Sequence, residues 1–375
     1  MTENLTIDRV LPYLLERGLV RSSDVVDGHA FRVQDRTRRN RNFLVNATSG
    51  SLLVKQAGSA FDPESVETLD IEASLLRAVA VDDVLTPVRW FAPRFVYHDP
   101  DSHVLVLEQV RPATSLTKFH LGGGTIDFAV ESAITAGRII ARFHRAMKDA
   151  LRVGALGELP LAQPFAFNVP EYVRNLVNAG DPVASAFGAA VEATDLFDDS
   201  IQAQTAWTAG DGVVHGDVRW DNFLVTSGSA PGDNMNLRLI DWELTRRGDE
   251  YWDVVAYLAE YLRYWAMSAS MLSSDPEAEA ASAFTFAECH ASADAFVGAY
   301  ARARRLGREG HQELLDRIGV YLPYALAVVA FETTQQQSEL PLAARLLVDK
   351  AAYCRTQPGN ALRDWFGLEG ADGNA

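Results

Sequence analysis

Apolar positions along the first 110 residues change period several times. Val10, Leu11, Leu14, Leu15 and Leu19 recur at helical spacing within residues 1–25. Three short stretches of strand character follow: HAFRVQDR, NFLVNA and SLLVKQ. The last two are separated by Thr48-Ser49-Gly50-Ser51, a turn-forming run that predicts a hairpin. Residues 64–80, ESVETLDIEASLLRAVA, place Leu69, Leu75, Leu76 and Val79 on one side and predict a helix. Strand character returns around 88–97 and 103–108. At Val110-Arg111-Pro112-Ala113 it stops.

From residue 126 the pattern is mostly helical, interrupted by VVHGDVRWDNFLV (213–225) and NLRLIDWEL (236–244), which together predict a hairpin. Residues 250–366 predict four or five amphipathic helices. This is an α+β organisation with a small β-rich N-lobe, 1–109, and a large, mainly helical C-lobe, 110–375. Residues 227–236, SGSAPGDNMN, are expected to form an extended hairpin tip, and 270–283, rich in Ser, Ala and acid, a mobile loop. No internal repeat is present.

Composition narrows the function classes. At 375 residues, 48% apolar and 22% charged, the chain can bury a sizeable core. A net charge of −16 argues against a nucleic-acid binder, which needs a basic face to displace counterions, and tolerates a cationic acceptor. Cys289 and Cys354 lack metal-ligand or CxxC spacing, which points to a reducing compartment. The opening MTENLTIDRVLPYLLERG has no basic segment followed by an apolar one, so no secretory signal is expected. The longest apolar run, Val320 to Phe331, is twelve residues with Pro323 inside, short for a bilayer span. A cytoplasmic protein without membrane or nucleic-acid partners is expected.

Five polar residues stand out by position. Lys55 follows the apolar Leu52-Leu53-Val54, and Glu72 lies on the next helix. Asp217 and Asn222 share a loop before a strand, and Asp241 ends another strand. Phosphoryl transfer from Mg-ATP needs these groups. A lysine held by a carboxylate grips phosphates as a point charge, and an aspartate near the acceptor takes its proton. Asn222 and Asp241 supply the hard oxygen ligands that Mg²⁺ prefers. Singly, each is weak. His215 alone reads as a loop brace and His144 as a satisfied core histidine. Gly122-Gly123-Gly124, without a following Lys-Ser/Thr, reads as a connector.

HGDVRWDN with IDWE downstream resembles the aminoglycoside phosphotransferase family of the kinase-like superfamily. The likeness runs from about residue 28 to 261 and includes Lys55, Glu72, VLVLEQVRPATSL as hinge and IIARFHRAM before the loop. It implies a bilobal protein-kinase-like fold that binds ATP and Mg²⁺ and phosphorylates a hydroxyl. Carried over, Asp217 is the catalytic base, with Asn222 beside it in the loop, and Asn222 and Asp241 are the metal ligands. Lys55 binds phosphate with Glu72 as its partner, and the hinge from Glu108 to Val110 offers backbone groups to adenine. Asp253 supports the catalytic loop from the following helix. One departure stands out: Asp35 to Asn42 contains no glycine where protein kinases carry a glycine-rich phosphate loop. Its four arginines within 36–41 could reach phosphates or an acidic acceptor, against a solvated hairpin turn, and Asn40 and Asn42 are candidate nucleotide contacts. Arg219 and Trp220 either face the acceptor or pack.

A small-molecule or natural-product hydroxyl is the acceptor that the resemblance implies. The alternative acceptor is a Ser or Thr of a ribosomally made precursor peptide, phosphorylated ahead of elimination by a partner lyase, as in lanthipeptide-type kinases; RTRRNRNF and EYLRYW resemble those enzymes. A third possibility is a nucleotide-binding pseudokinase scaffold, which the joint presence of Lys55, Asp217, Asn222 and Asp241 opposes.

Overall fold

The computed structural model describes residues 4–26, 31–37, 40–58, 62–122, 129–198, 200–226, 236–272 and 285–369. Arg38, Arg39, Gly123, Gly124 and nearly all of the expected tip and acidic loop lie outside them. The strands are β1 (Arg32–Asp35), β2 (Arg41–Ala47), β3 (Gly50–Gln56), β4 (Phe95–Asp99), β5 (Val104–Glu108), β6 (Ala113–Ser115), β7 (Gly212–Val214), β8 (Phe223–Thr226), β9 (Leu237–Leu239) and β10 (Arg246–Gly248). The chain divides into two compact units. One comprises residues 1–115, 146–159 and 222–245; the other comprises 116–145, 160–221 and 246–375.

The first unit is built on an antiparallel sheet of order β1-β2-β3-β5-β4. Alternation along β2 and β3 turns Phe43, Val45 and Val54 to one face, where they pack with Val104, Val106 and the helix α1 (Ile7–Glu16) residues Val10, Tyr13 and Leu14. Thr48 and Ser49 close the β2–β3 hairpin, with Ala47 opposite Gly50. A short helix α2 (Ser22–Val26) follows α1. The predicted helix over 64–80 is α3 (Pro63–Val81), started by the Asp62 side chain on the Glu64 N–H and by Pro63 in the first turn. Residues 88–97 are not one strand. Asp83–Val88 form a 3₁₀ turn, and β4 begins only at Phe95. Pro87 and Pro93 lack the N–H that a ladder requires, and Pro93 restricts Ala92. Strand pairing also resumes once beyond the expected stop: β6 joins β8 and β9 in a three-stranded sheet, the last two forming the predicted hairpin.

The second unit is mainly helical: α4 (Leu116–His120), α5 (Val130–Arg152, of which residues through Arg145 belong here), α6 (Val169–Asn178), α7 (Pro182–Glu192), α8 (Ile201–Ala209), α9 (Tyr251–Leu272), α10 (Phe286–Arg304), α11 (Arg308–Thr333), α12 (Leu342–Thr356) and α13 (Pro358–Phe366). The five helices from α9 onward match the expected count. Helix α11 is long and apolar enough to cross a membrane, yet 72% of its most apolar window is buried inside the unit. It is a core helix of this fold. Both cysteines are free and buried.

A two-stranded ribbon, β7 with β10, leads into the loop at His215. Gly248 on β10 lets the Trp207 indole close over it: a Cβ there would lie 2.2 Å from the ring. Gly248→Ala is therefore expected to lower stability by about 1–3 kcal/mol, the usual range for overpacking a core. Urea denaturation measures this, and an unchanged midpoint would mean that the ring is not confined.

Candidate functional site

Glu72 sits on the buried stripe of α3 with Leu69, Ala73 and Leu76, at spacings of three and four. A carboxylate placed there is out of water and must be compensated. Lys55 supplies the charge. It faces away from the Val54 side of the sheet, is 6% exposed, and puts Nζ 2.7 Å from Glu72 Oε2 and 2.5 Å from Asp241 Oδ1. Glu72 Oε1 also accepts the Trp242 N–H at 3.3 Å, locking α3 to the turn after β9.

Asp241 occupies that turn with φ +67° and ψ 63°, a left-handed conformation uncommon for a residue with a Cβ. The cost is sustained by its surroundings: Ile240 N donates to Asn222 O at 2.9 Å, and Trp242 Nε1 to Leu239 O at 2.8 Å. Glu243 follows two residues on and accepts Asn40 Nδ2 at 2.7 Å, while Asn40 Oδ1 accepts Ser65 Oγ at 2.9 Å. Asn40 thus ties the glycine-free turn to both sides of the cluster. Asn42 lies opposite Lys55 in the β2–β3 register, and its Oδ1 is buried without a partner among the described residues.

Oxygens of Glu72, Asp241 and Glu243 all lie within 4.8 Å of one another. The donors are hard oxygens, a set that fits Mg²⁺. Burial disfavours the Lys55 ammonium, but Glu72, Asp241 and Glu243 outweigh it and hold that group above the ordinary lysine range. Burial pushes the Glu72 carboxyl upward against the pull of Lys55. Lys55, Glu72, Asp241, Asn222, Asn40 and Asn42 all belong to this first unit. Glu108 and Val110 belong to it as well, at the end of β5. There Glu108 pairs with Arg94 at 2.9 Å, and Gln109 N donates to Ser51 O at 2.8 Å.

Asp217 lies in the second unit, in a loop pinned from beneath. Asp253 on α9, fully buried, accepts the His215 N–H at 2.7 Å and the Gly216 N–H at 3.0 Å, and meets His144 Nε2 at 2.9 Å. His144 Nδ1 lies 3.0 Å from the Tyr300 hydroxyl. Gly216 turns at φ +84°, a conformation that explains the glycine of HGD. His215 braces the same loop, its Nδ1 accepting from Asp217 N at 3.3 Å. The Asp217 carboxylate faces Arg219, with Nε at 2.8 Å and Nη2 at 3.0 Å. Arg219 is 42% exposed on its side chain, whereas Trp220 packs: it is buried and stacks on Tyr264 at 5.0 Å.

Sequence patterns missed Glu243, whose one signal was its place in IDWE. They also missed the carboxylates and arginine of α9 and α11 that reach toward Arg219, because Glu332 is 113 positions away.

Residues 35–315 match the model of the phosphotransferase enzyme family. No curated protein matches the chain. Among solved structures, the ethanolamine kinase of Plasmodium vivax is similar with a TM-score of 0.54 at 11% identity, over 93% of this chain and 89% of that one. A microcompartment-associated aminopropanol kinase is similar at 0.51 and 16% identity, over 95% and 97%. At such identities the likeness establishes the fold.

Breaking the Lys55–Glu72 pair leaves a buried charge uncompensated, so Lys55→Met is expected to cost about 3–5 kcal/mol. Lys55→Met/Glu72→Met removes both charges and should regain part of that loss. Chemical denaturation of the three proteins checks it; a single variant as stable as the parent would contradict the burial of the pair.

Proposed function

The chain belongs to the phosphotransferase enzyme family, an ATP-dependent enzyme acting on hydroxyl groups, and from that premise we propose how its residues divide the work. Lys55, held by Glu72, binds the phosphates of ATP, with Asn42 as a further polar contact. Asp241 and Glu243, with Asn222, hold Mg²⁺, which when bound offsets negative charge on the phosphates. The backbone from Glu108 to Val110 meets the adenine. Asp217 takes the proton of the acceptor hydroxyl and aims its oxygen at the γ-phosphorus. Asp253 and His215 hold the loop in the shape this requires, and Asp241 keeps its strained turn as part of a preorganised ligand set. The observation that carries the proposal is the Lys55 ammonium buried among three carboxylates, a charge arrangement suited to exchanging partners with a metal-bound polyphosphate.

The acceptor we assign is a small-molecule alcohol that carries an amine. The two structural relatives are named for amino alcohols, ethanolamine and aminopropanol. Asp217 together with a chain charge of −16 suits a cationic acceptor. The buried thiols accord with work in the cytoplasm.

Two variants test this. Asp217→Asn is expected to keep ATP affinity within about twofold and to lose roughly 10²-fold or more in turnover, the contribution of a positioned base. Near-full turnover would remove Asp217 from the role. Asp241→Ala should eliminate the magnesium dependence of ATP binding in calorimetry. A screen of amino alcohols, aminoglycosides, macrolides and Ser-containing peptides identifies the acceptor: transfer to peptides alone would overturn the small-molecule assignment.

A further inference from the structure

Arg219 does more than face Asp217. Its Nη1 lies 3.2 Å from Glu332 Oε1, near the C-terminal end of α11. Glu332 Oε2 takes Arg263 Nη2 of α9 at 2.5 Å. Arg263 Nε in turn donates to Glu260 Oε1 at 2.6 Å, and Glu260 Oε2 accepts the Trp220 N–H at 3.4 Å. Because Trp220 follows Arg219 in the chain, the contacts close into a ring. It runs from the Arg219 side chain through Glu332, Arg263 and Glu260, then back through one peptide unit.

We infer that Glu332, Arg263 and Glu260 are positioning residues for Asp217, acting through Arg219. Rigidity is the first reason. Glu260 and Arg263 are 4% and 15% exposed on their side chains, one turn apart on a helix, and the buried Trp220 packs against Tyr261 and Tyr264 of the same helix. Charge order is the second. Signs alternate from Asp217 to Glu260, so every guanidinium lies between two carboxylates. Burial pulls the Arg219 charge down, but Asp217 and Glu332 outweigh it and keep that group cationic. Geometry is the third. Nη2 donates to one Asp217 oxygen at 3.0 Å while Nε, whose N–H is not hydrogen-bonded, lies 2.8 Å from the other, so two contacts from one planar group limit the rotation of Asp217 as well as its distance, which a point charge does not do. A base must be oriented to act, and small displacements cost large factors in rate. The EYLRYW run of α9 thereby serves the loop from below, with Glu260 and Arg263 in the ring and Tyr261 and Tyr264 against Trp220.

The inference rests on Asp217 being the base, and a double-mutant cycle separates the two. Rates are taken with Mg-ATP on whichever screened alcohol is phosphorylated, or on water where none is. Glu332→Gln is expected to lower kcat about 10- to 100-fold with the KM for ATP within twofold and the melting temperature little changed. Arg219→Ala should do the same. If Glu332 acts only through Arg219, the double variant is no slower than Arg219→Ala alone. Arg219→Lys, on a half-exposed side chain, keeps the charge without the fork and should not restore the rate; it carries the test if Glu332→Gln fails to fold. Full kcat in Glu332→Gln, a double variant whose loss is the product of the single losses, or full rescue by lysine would overturn the inference. Should Asp217→Asn be inactive while these variants remain fast, the ring alone is refuted. Should Asp217→Asn itself remain fast, the base assignment is.

Discussion

An ammonium taken out of water and set 2.7 Å from a fully buried carboxylate must be compensated from every side. That requirement organises the first unit. It aligns Lys55, the strand position next after Leu52-Leu53-Val54, with the inner stripe of α3. It also draws the turn after β9 to the same point, where Trp242 gives its N–H to Glu72 and Asp241 accepts a left-handed backbone. A hydrophobic trio would fill this space at lower desolvation cost. The charged arrangement keeps an ammonium between two carboxylates despite that cost, and Glu243, held by Asn40, adds a third.

The second unit meets a different demand: to hold a loop of irregular backbone in one conformation. Its solution is a buried acceptor. Asp253 takes two consecutive loop N–H groups and a histidine, satisfying donors that the turn at Gly216 leaves outside any helix or sheet. Around that brace the ring from Arg219 to Glu260 sets the side chain that the loop presents. Backbone and side chain are thus restrained by separate means, one by hydrogen bonds from N–H groups to a buried carboxylate, the other by ion pairs.

Much of this could be read in the chain. Alternation located β2, β3 and β5, and the helical period located α3 and the last five helices. Lys55, Glu72 and Asp241 share one cluster, and Asp253 on α9 holds the loop that carries Asp217. Where legibility ended, the reason was physical. Residues 88–94 have β-forming side chains but follow one proline and contain another, and neither can join a ladder. A three-residue strand such as β6 exists only because β8 lies beside it. Glu332 and Arg263 resemble ordinary helix charges until folding brings them to Arg219, and nothing in periodicity records a partner 113 positions away. Asn40 was legible as a site candidate, but its hydrogen bonds to Ser65 and Glu243 were not.

If the Lys55 cluster receives a metal-bound triphosphate, manganese will report it. Electron paramagnetic resonance of Mn²⁺, added to the whole chain with and without ATP, is the measurement. Free Mn²⁺ signal should fall, when ATP and protein are both present, below its level with ATP alone, and Lys55→Met should restore the ATP-only spectrum. A spectrum identical to that of Mn-ATP in buffer, at protein concentrations where the chain is folded, would contradict it.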